Sequence, residues 1–486
     1  MPLEKNDLSK KKQIINLNIG SKFRGIPHES ILEISQTKNY ICVKIILSAV
    51  SMLKQLHIFI ALAVLFAVMV TACSNSECVE GAIETDFAQL DYLPLDDSEY
   101  PYAGIPRIVI VTENFRAIKD RETEIPAKLQ IWGEKAPESE IMDLTIRGRG
   151  NSSWTEMPKN SYKIEFINKQ AMLGMPKDRD WALIANYADK TLMRNFITYR
   201  LASSLGTYYS PKCEFAELFL NKEYLGIYLV TETIKIAKNR VNIPKNDYNY
   251  IVEVDGKYKD NEQVVFSNIL TTNGAKKTFK IHEPKNASPE VLDDIQQSIE
   301  NFESFLKTIR SGKDNHLEEW IDIDESIKYY WIQEFSKNPD TGVYDGFLTS
   351  VYFSFAKDGK IKMGPVWDFD LAYGNHSHDT INLTENWHVK KYWYKHLLKD
   401  EFYYNKIQTY WVNNRNVFET FLDSISIYEN KIKNASKNNF CRWKIMKDST
   451  SKWHRKSYNS YEDAVDDLKT WITQRIKWID SQLHVN

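Results

Sequence analysis

Two aspartates stand two positions apart in "GPVWDFDLAYGN", residues 364–375. On an extended segment, Asp368 and Asp370 share one face while Trp367 and Phe369 take the other. A third, Asp340, closes "SKNPD" (336–340), twenty-eight residues before Asp368. Carboxylates so placed suit phosphoryl transfer, in which one orients the attacking hydroxyl and another carries Mg²⁺ bridging the phosphates. Mg²⁺ keeps several of its waters, so one or two aspartates suffice. A lone D-x-D also fits a turn or a solvated surface pair, so the remaining residues must decide.

Three stretches offer groups for an anionic ligand. In "RGRGNSSW" (147–154), Gly148 and Gly150 let the backbone approach closely, and Arg147 or Arg149 can pair with phosphate oxygens. The same pattern fits a glycine-rich turn between strands. In "PKNSYKIEF" (158–166), Lys159 precedes a strand that carries Lys163. A strand lysine beside a glycine turn can hold nucleotide phosphates, or lie on a solvated strand face. In "LGIYLVTETI" (225–234), Glu232 falls where an apolar strand gives way to a connection, the place of an interlobe hinge.

The elements that must position these groups change period along the chain. From Arg107, short β-branched and aromatic runs ("RIVIVT", "AKLQIW", "DLTIRGRG", "SYKIEF", "WALIAN") read as strands. A helix over 189–205 interrupts them, with Asp189 as N-cap and Gly206 as stop. "EFAELFLN", "YLGIYLVTE" and "YIVEVD" resume the strands. After residue 285 the period is helical, with an apolar stripe through Val291, Ile295, Ile299, Phe302, Leu306 and Ile309. "DESIKYYWIQEFSKN" predicts a second helix, and "SVYFSFAKDGKIKMGPVWDFD" a hairpin turning at Asp358-Gly359. Beyond residue 385 the chain is aromatic-rich and mostly helical. The reading is an α+β, two-lobed fold with a ligand cleft between the lobes.

The chain has 486 residues, 43% apolar and 13% aromatic, enough for a large core, and its formal net charge of -2 lacks the basic field of a nucleic-acid binder. Residues 1–51 read as an upstream extension. From Met52, an apolar run between Ile58 and Val70 ends in "VTAC". That run suits a secretory signal better than a membrane span, and "VTAC" resembles a bacterial lipobox whose Cys73 takes the lipid. Residues 52–73 are thus expected to be a signal peptide and 74–106 a tether. The expected location is outside the cytoplasm, on a membrane. Cys78, Cys213 and Cys441 make neither a disulfide framework nor a zinc pattern.

Glycine turn, strand lysine, helix, hinge-like strand, helical region, aspartate and second aspartate follow one another in the order of parts of protein kinases. "IRGRGNSSW", "PKNSYKIEF", "WALIANYADKTLMRNFI", "AELFLNKEYLGIYLVTE" and "GPVWDFDLAYGN" together resemble the CotH kinase family, proteins related to spore coat protein H with an atypical protein-kinase-like fold. The resemblance covers 107–380 as the core, with 381–486 completing a helical lobe. It implies ATP- and Mg²⁺- (or Mn²⁺-) dependent phosphorylation of serine or threonine on a protein substrate. Asp368 would hold the metal with Asp370 as a second ligand, Asp340 would be the catalytic aspartate, and Lys159 or Lys163 would contact the phosphates.

The chain departs from the kinase pattern in two places. The helix 189–205 has no glutamate to pair with the lysine, and Asp345 and Ser350 stand where many relatives have an asparagine. A second reading is therefore a surface lipoprotein that keeps the fold without turnover, with Trp387, Trp393, Trp411, Trp443 and Trp453 either as a glycan- or protein-binding face or as core of the helical lobe. Glycoside hydrolysis would need two carboxylates across a sugar cleft, which a D-x-D does not establish.

Overall fold

The computed structural model describes residue 87 and residues 92–272, 275–377, 379–454 and 456–485. The expected extension, signal peptide and lipidated Cys73 lie outside the described residues.

Seven strands close a barrel. They are β1 (Arg107–Thr112), β2 (Ile125–Trp132), β3 (Met142–Arg149), β4 (Ser161–Met172), β5 (Met175–Ile184), β6 (Cys213–Leu220) and β7 (Glu223–Glu232). Their order is β1-β2-β3-β4-β5-β7-β6, and a parallel pairing of β1 with β6, Arg107 opposite Glu217, completes the ring. Alternation does the sorting. Ile108, Ile110, Leu129, Ile146, Ile164 and Val230 fill the interior, as expected when successive side chains point in and out.

β1 is buried on both faces, so its outer residues Val109 and Val111 need a cover. Leu93 supplies it, together with Phe219 and Tyr224, and Tyr100 stacks on Tyr224 with ring centroids 4.2 Å apart. The Leu93 amide donates to Gln130 Oε1 at 3.0 Å. Over its described residues, 92–106, the stretch expected as a tether is thus a strap packed on the barrel.

A second sheet runs in the order β12-β11-β8-β10-β9: β8 (Asn249–Val254), β9 (Val264–Ser267), β10 (Lys277–Glu283), β11 (Val351–Ala356) and β12 (Lys362–Met363). The hairpin read around Asp358 is present as β11 and β12, with Phe353 opposite Met363. "YIVEVD" is a strand, as read, and lies outside the barrel. It pairs as β8 with β11, Val254 opposite Val351, about a hundred residues later in sequence.

One face of this sheet, with Val252, Val254, Phe279 and Phe353, joins the larger core. α2 (Pro289–Thr308) packs there through Ile295, Ile299, Phe302 and Leu306, and Ser288 caps it by accepting the Val291 amide. α1 (Arg194–Ser204) is shorter than expected and starts after Asp189. α3 (Ile323–Ser336) ends on Lys337 in a left-handed conformation. α4 (Glu401–Arg442) and α5 (Tyr461–Leu483) finish the chain; Ser460 and Asp463 form a capping box for α5. The mixed α+β architecture matches the reading. Trp393 and Trp411 are fully buried in the core and form no surface face. Trp387 packs partly buried on that core, and the Trp443 indole donates to Leu225 O. Among the described residues, no helix is long and apolar enough to cross a membrane.

Candidate active site

A cleft of about 800 Å³ is walled on one side by the barrel and on the other by β8, β10 and the loops after α3 and β12. Its lining contains Arg147, Arg149, Gly150 and Lys163, and also Asp340, Asp368 and Asp370. Residues separated by more than two hundred positions thus meet in one concavity.

The acidic wall is built on irregular backbone. α3 stops at Lys337, Asn338 caps a short turn by accepting the Asp340 amide, and Asp340 faces the cleft from that turn. Behind it, His388 Nε2 contacts Asn338 O at 2.6 Å, and burial drops this imidazole's pKa to about 3, so it stays neutral and donates. Asp368 lies five residues past β12, not at a strand end, with φ of 65°. Its backbone is pinned on both sides: Asn338 Nδ2 donates to Asp368 O, and the Phe369 amide donates to Asn195 Oδ1 at 2.7 Å. The alternation expected of an extended segment survives without a strand. Trp367 and Phe369 are buried, with Tyr199 stacked on Trp367, while both aspartates reach the cleft.

The carboxyls disturb one another. Burial and then Asp368 push the Asp370 pKa well up, and burial, Asp368 and Asp370 do the same to Asp340. Asp368 is also raised by burial, with Arg149 and a hydrogen bond from Ser350 Oγ (3.3 Å) opposing. Ser350 therefore occupies the neighbourhood expected for an asparagine. Asp345 does not; it is exposed and pairs with Lys277 at 3.3 Å.

Two acidic residues of this wall were missed. Glu253 on β8 and Asp255 just past its end line the cleft and are almost wholly buried. Glu253 meets His282 Nε2 at 2.6 Å, and Asp255 accepts from Thr349 Oγ1 at 3.1 Å. Their E-x-D spacing in "YIVEVD" is the same signal as the D-x-D.

The barrel wall separates the lysines. Lys163 faces the cleft, bridged at 3.0 Å to both Glu165 and Asp180. Lys159 does not. It is 1% exposed, donates to Ile227 O at 2.6 Å and Asn439 Oδ1 at 3.0 Å, and burial lowers its pKa well below the ordinary value. It joins β7 to α4, so the expected phosphate contact at Lys159 is corrected to a structural bond.

Glu232 is likewise fully buried, paired with Arg240 (2.6 Å) and holding Tyr209 and the Lys212 amide. The next residues, Thr233 to Lys235, reach the cleft instead. Gly148 lies beneath Trp154, where a Cβ would meet the indole, and is absent from the cleft wall. Gly150, at φ of 100°, provides the left-handed turn out of β3.

The helix without a glutamate is explained locally. Asp189 is not its N-cap; it accepts from the Thr191 and Arg194 amides and pairs with the Arg194 guanidinium. Arg194 Nε donates to Ala372 O at 3.0 Å. The pair thereby ties α1 to the segment just after Asp370.

The chain is an α+β protein whose carboxylates and cations line one cleft. Residues 146–479 match the family described as CotH kinase protein, and the chain belongs to that family. It is 27% identical over 243 residues to inner spore coat protein H of Bacillus subtilis (strain 168), covering 49% of this chain and 60% of that protein. The match thus leaves about two fifths of that relative uncovered.

Proposed function

We propose that the chain is a kinase that transfers phosphate from ATP to serine or threonine of a protein substrate, with Mg²⁺ or Mn²⁺. The observation that supports this most is the meeting of Asp340, Asp368 and Asp370 with Lys163 and Arg147 in one cleft. The donor set fits a divalent cation. Burial pushes both Asp368 and Asp370 toward the neutral form, and the Asp368 charge pushes Asp370 further, a cost that a cation relieves.

When bound there, the cation would neutralise charge on the phosphates. Asp368 would hold it, with Asp370 as helper. Asp340 would orient the substrate hydroxyl and accept its hydrogen. Lys163 and Arg147 would steady the phosphates, and the backbone of Thr233–Lys235, which line the cleft, would meet the base. On this reading the barrel acts as the smaller lobe and the sheet with its helices as the larger. The "VTAC" motif adds export and membrane anchoring through a lipid on Cys73.

One observation favours a second reading, a binding lipoprotein without turnover: Lys163 is already engaged by two carboxylates, and α1 offers no glutamate. Calorimetric titration with ATP plus Mg²⁺ separates the two. Binding that disappears in Asp368→Asn supports the kinase, and no binding to wild type supports the alternative.

A further inference from the structure

The cations on the cleft wall are not equivalent. Lys163 is held by Glu165 and Asp180, Lys235 by Asp178 and Asp180, and Lys280 by Glu262. Arg147 donates to Arg121 O at 2.7 Å and lies 3.5 Å from Glu124. Arg149 differs from all of these. Among the described residues, its guanidinium makes no hydrogen bond or ion pair, although it is half-buried and lines the cleft. Its donors still reach the cleft solvent, so a planar fork of five donors is open there to an anion.

Its position is nevertheless fixed. Arg149 is the last residue of β3, on the same strand face as Arg147, and Gly150 turns the chain away directly after it. The guanidinium lies over the Trp367 ring at 5.2 Å, and Trp367 is stacked on Tyr199 at 5.9 Å. The aromatic pair comes from α1 and from the residue preceding Asp368, so the guanidinium is held next to the carboxylate that would carry the metal. A cation that is stacked, oriented and without acceptors is preorganised for an anionic ligand.

We propose that Arg149 is the principal phosphate-binding residue of this cleft, gripping the polyphosphate of the nucleotide with its fork while Asp368 meets the same phosphates through a divalent cation. The proposal rests on the kinase reading and deepens it. It assigns to an arginine at the end of β3 the work expected of a strand lysine, which here is neutralised by its neighbours. Arg149 contacts the ligand directly and is a binding residue of the transferred group.

The test is isothermal titration of wild type, Arg149→Gln, Arg149→Lys and Lys280→Gln with three probes: ATP, inorganic tripolyphosphate (each with Mg²⁺) and adenosine. Loss of a bidentate charged contact should weaken both phosphate probes on the order of 10- to 100-fold in Arg149→Gln, with adenosine unchanged. Arg149→Lys, which keeps the charge and loses the fork, should recover only part of this, and Lys280→Gln should change affinity by less than about threefold, since that side chain is held by Glu262. If Arg149→Gln binds both phosphate probes like wild type, the proposal is overturned while the kinase reading stands. If wild type binds tripolyphosphate through Arg149 but not ATP, the phosphate anchor holds and the kinase reading fails. If wild type binds none of the probes, both fall. Should Arg149→Gln not fold, Arg149→Lys decides: affinity equal to wild type contradicts the fork.

Discussion

The two walls of the cleft treat charge in opposite ways. On the barrel wall, cations and carboxylates neutralise one another: Lys163 and Lys235 share Asp180, and Lys235 also holds Asp178. Burial opposes ionisation of Asp180, yet the hydrogen bond from Lys235 and the nearby Lys163 charge hold its pKa below the ordinary range. On the facing wall, burial pushes Asp340, Asp368 and Asp370 all up; neighbouring carboxylates add to this at Asp340 and Asp370, while Arg149 opposes it at Asp368. The barrel charges stabilise the fold, whereas the opposing carboxylates weaken it and await a ligand. Groups held at a cost with their pKa values displaced mark a functional site more sharply than charge alone.

The largest expected effect breaks the contrast at its acidic end. Asp368→Asn should lower phosphate transfer about a thousandfold or more. In the metal-free protein it should also raise the melting temperature, because a repulsion is removed; a calorimetric scan without and with Mg²⁺ should show cation stabilisation in wild type only.

Next in size is Lys159→Met. It leaves Ile227 O and Asn439 Oδ1 without their ammonium donor and should cost about 2 kcal/mol, read from urea midpoints, while the folded fraction still binds ATP. Asp180→Asn should lose a similar or smaller amount, about 1–2 kcal/mol, by leaving Lys235 and Lys163 underpaired.

The smallest effect is a difference in pH slope. Asp180 has a folded pKa below its unfolded value, so its contribution is complete above about pH 4 and is lost as pH falls through the folded value. Asp370 is the reverse. Between about pH 4 and its raised folded value the native state binds more protons than the unfolded chain, so its contribution declines as pH climbs. Urea unfolding across the acid to neutral range should show Asp180→Asn flattening the acid limb and Asp370→Asn flattening the fall toward neutrality. Parallel curves for both variants would remove the distinction between the walls.

Much of this was legible in local pattern. Period-two runs marked the barrel strands, and the stripe from Ile295 to Leu306 marked α2. The parallel closure of β1 on β6 and the pairing of β8 with β11 left no local trace, since both join segments about a hundred residues apart. Residue type and order singled out Asp340, Asp368 and Asp370. The choice between Lys159 and Lys163 was invisible because it depends on Asn439 arriving on α4 from 280 residues away. Glu253 and Asp255 were visible as E-x-D but were read only as strand, since nothing local shows that β8 faces the cleft. Arg149 and Arg147 look alike in "RGRG"; only the stacking on Trp367 distinguishes them.

The most direct test of the central claim is transfer of label from γ-labelled ATP, with Mg²⁺ or Mn²⁺, to the chain itself and to a serine-rich acceptor protein. Wild type, Asp368→Ala and Asp340→Ala would be compared. Labelled serine or threonine in wild type and none in either variant is the expected result. Equal labelling in all three would contradict the assignment of transfer to this cleft.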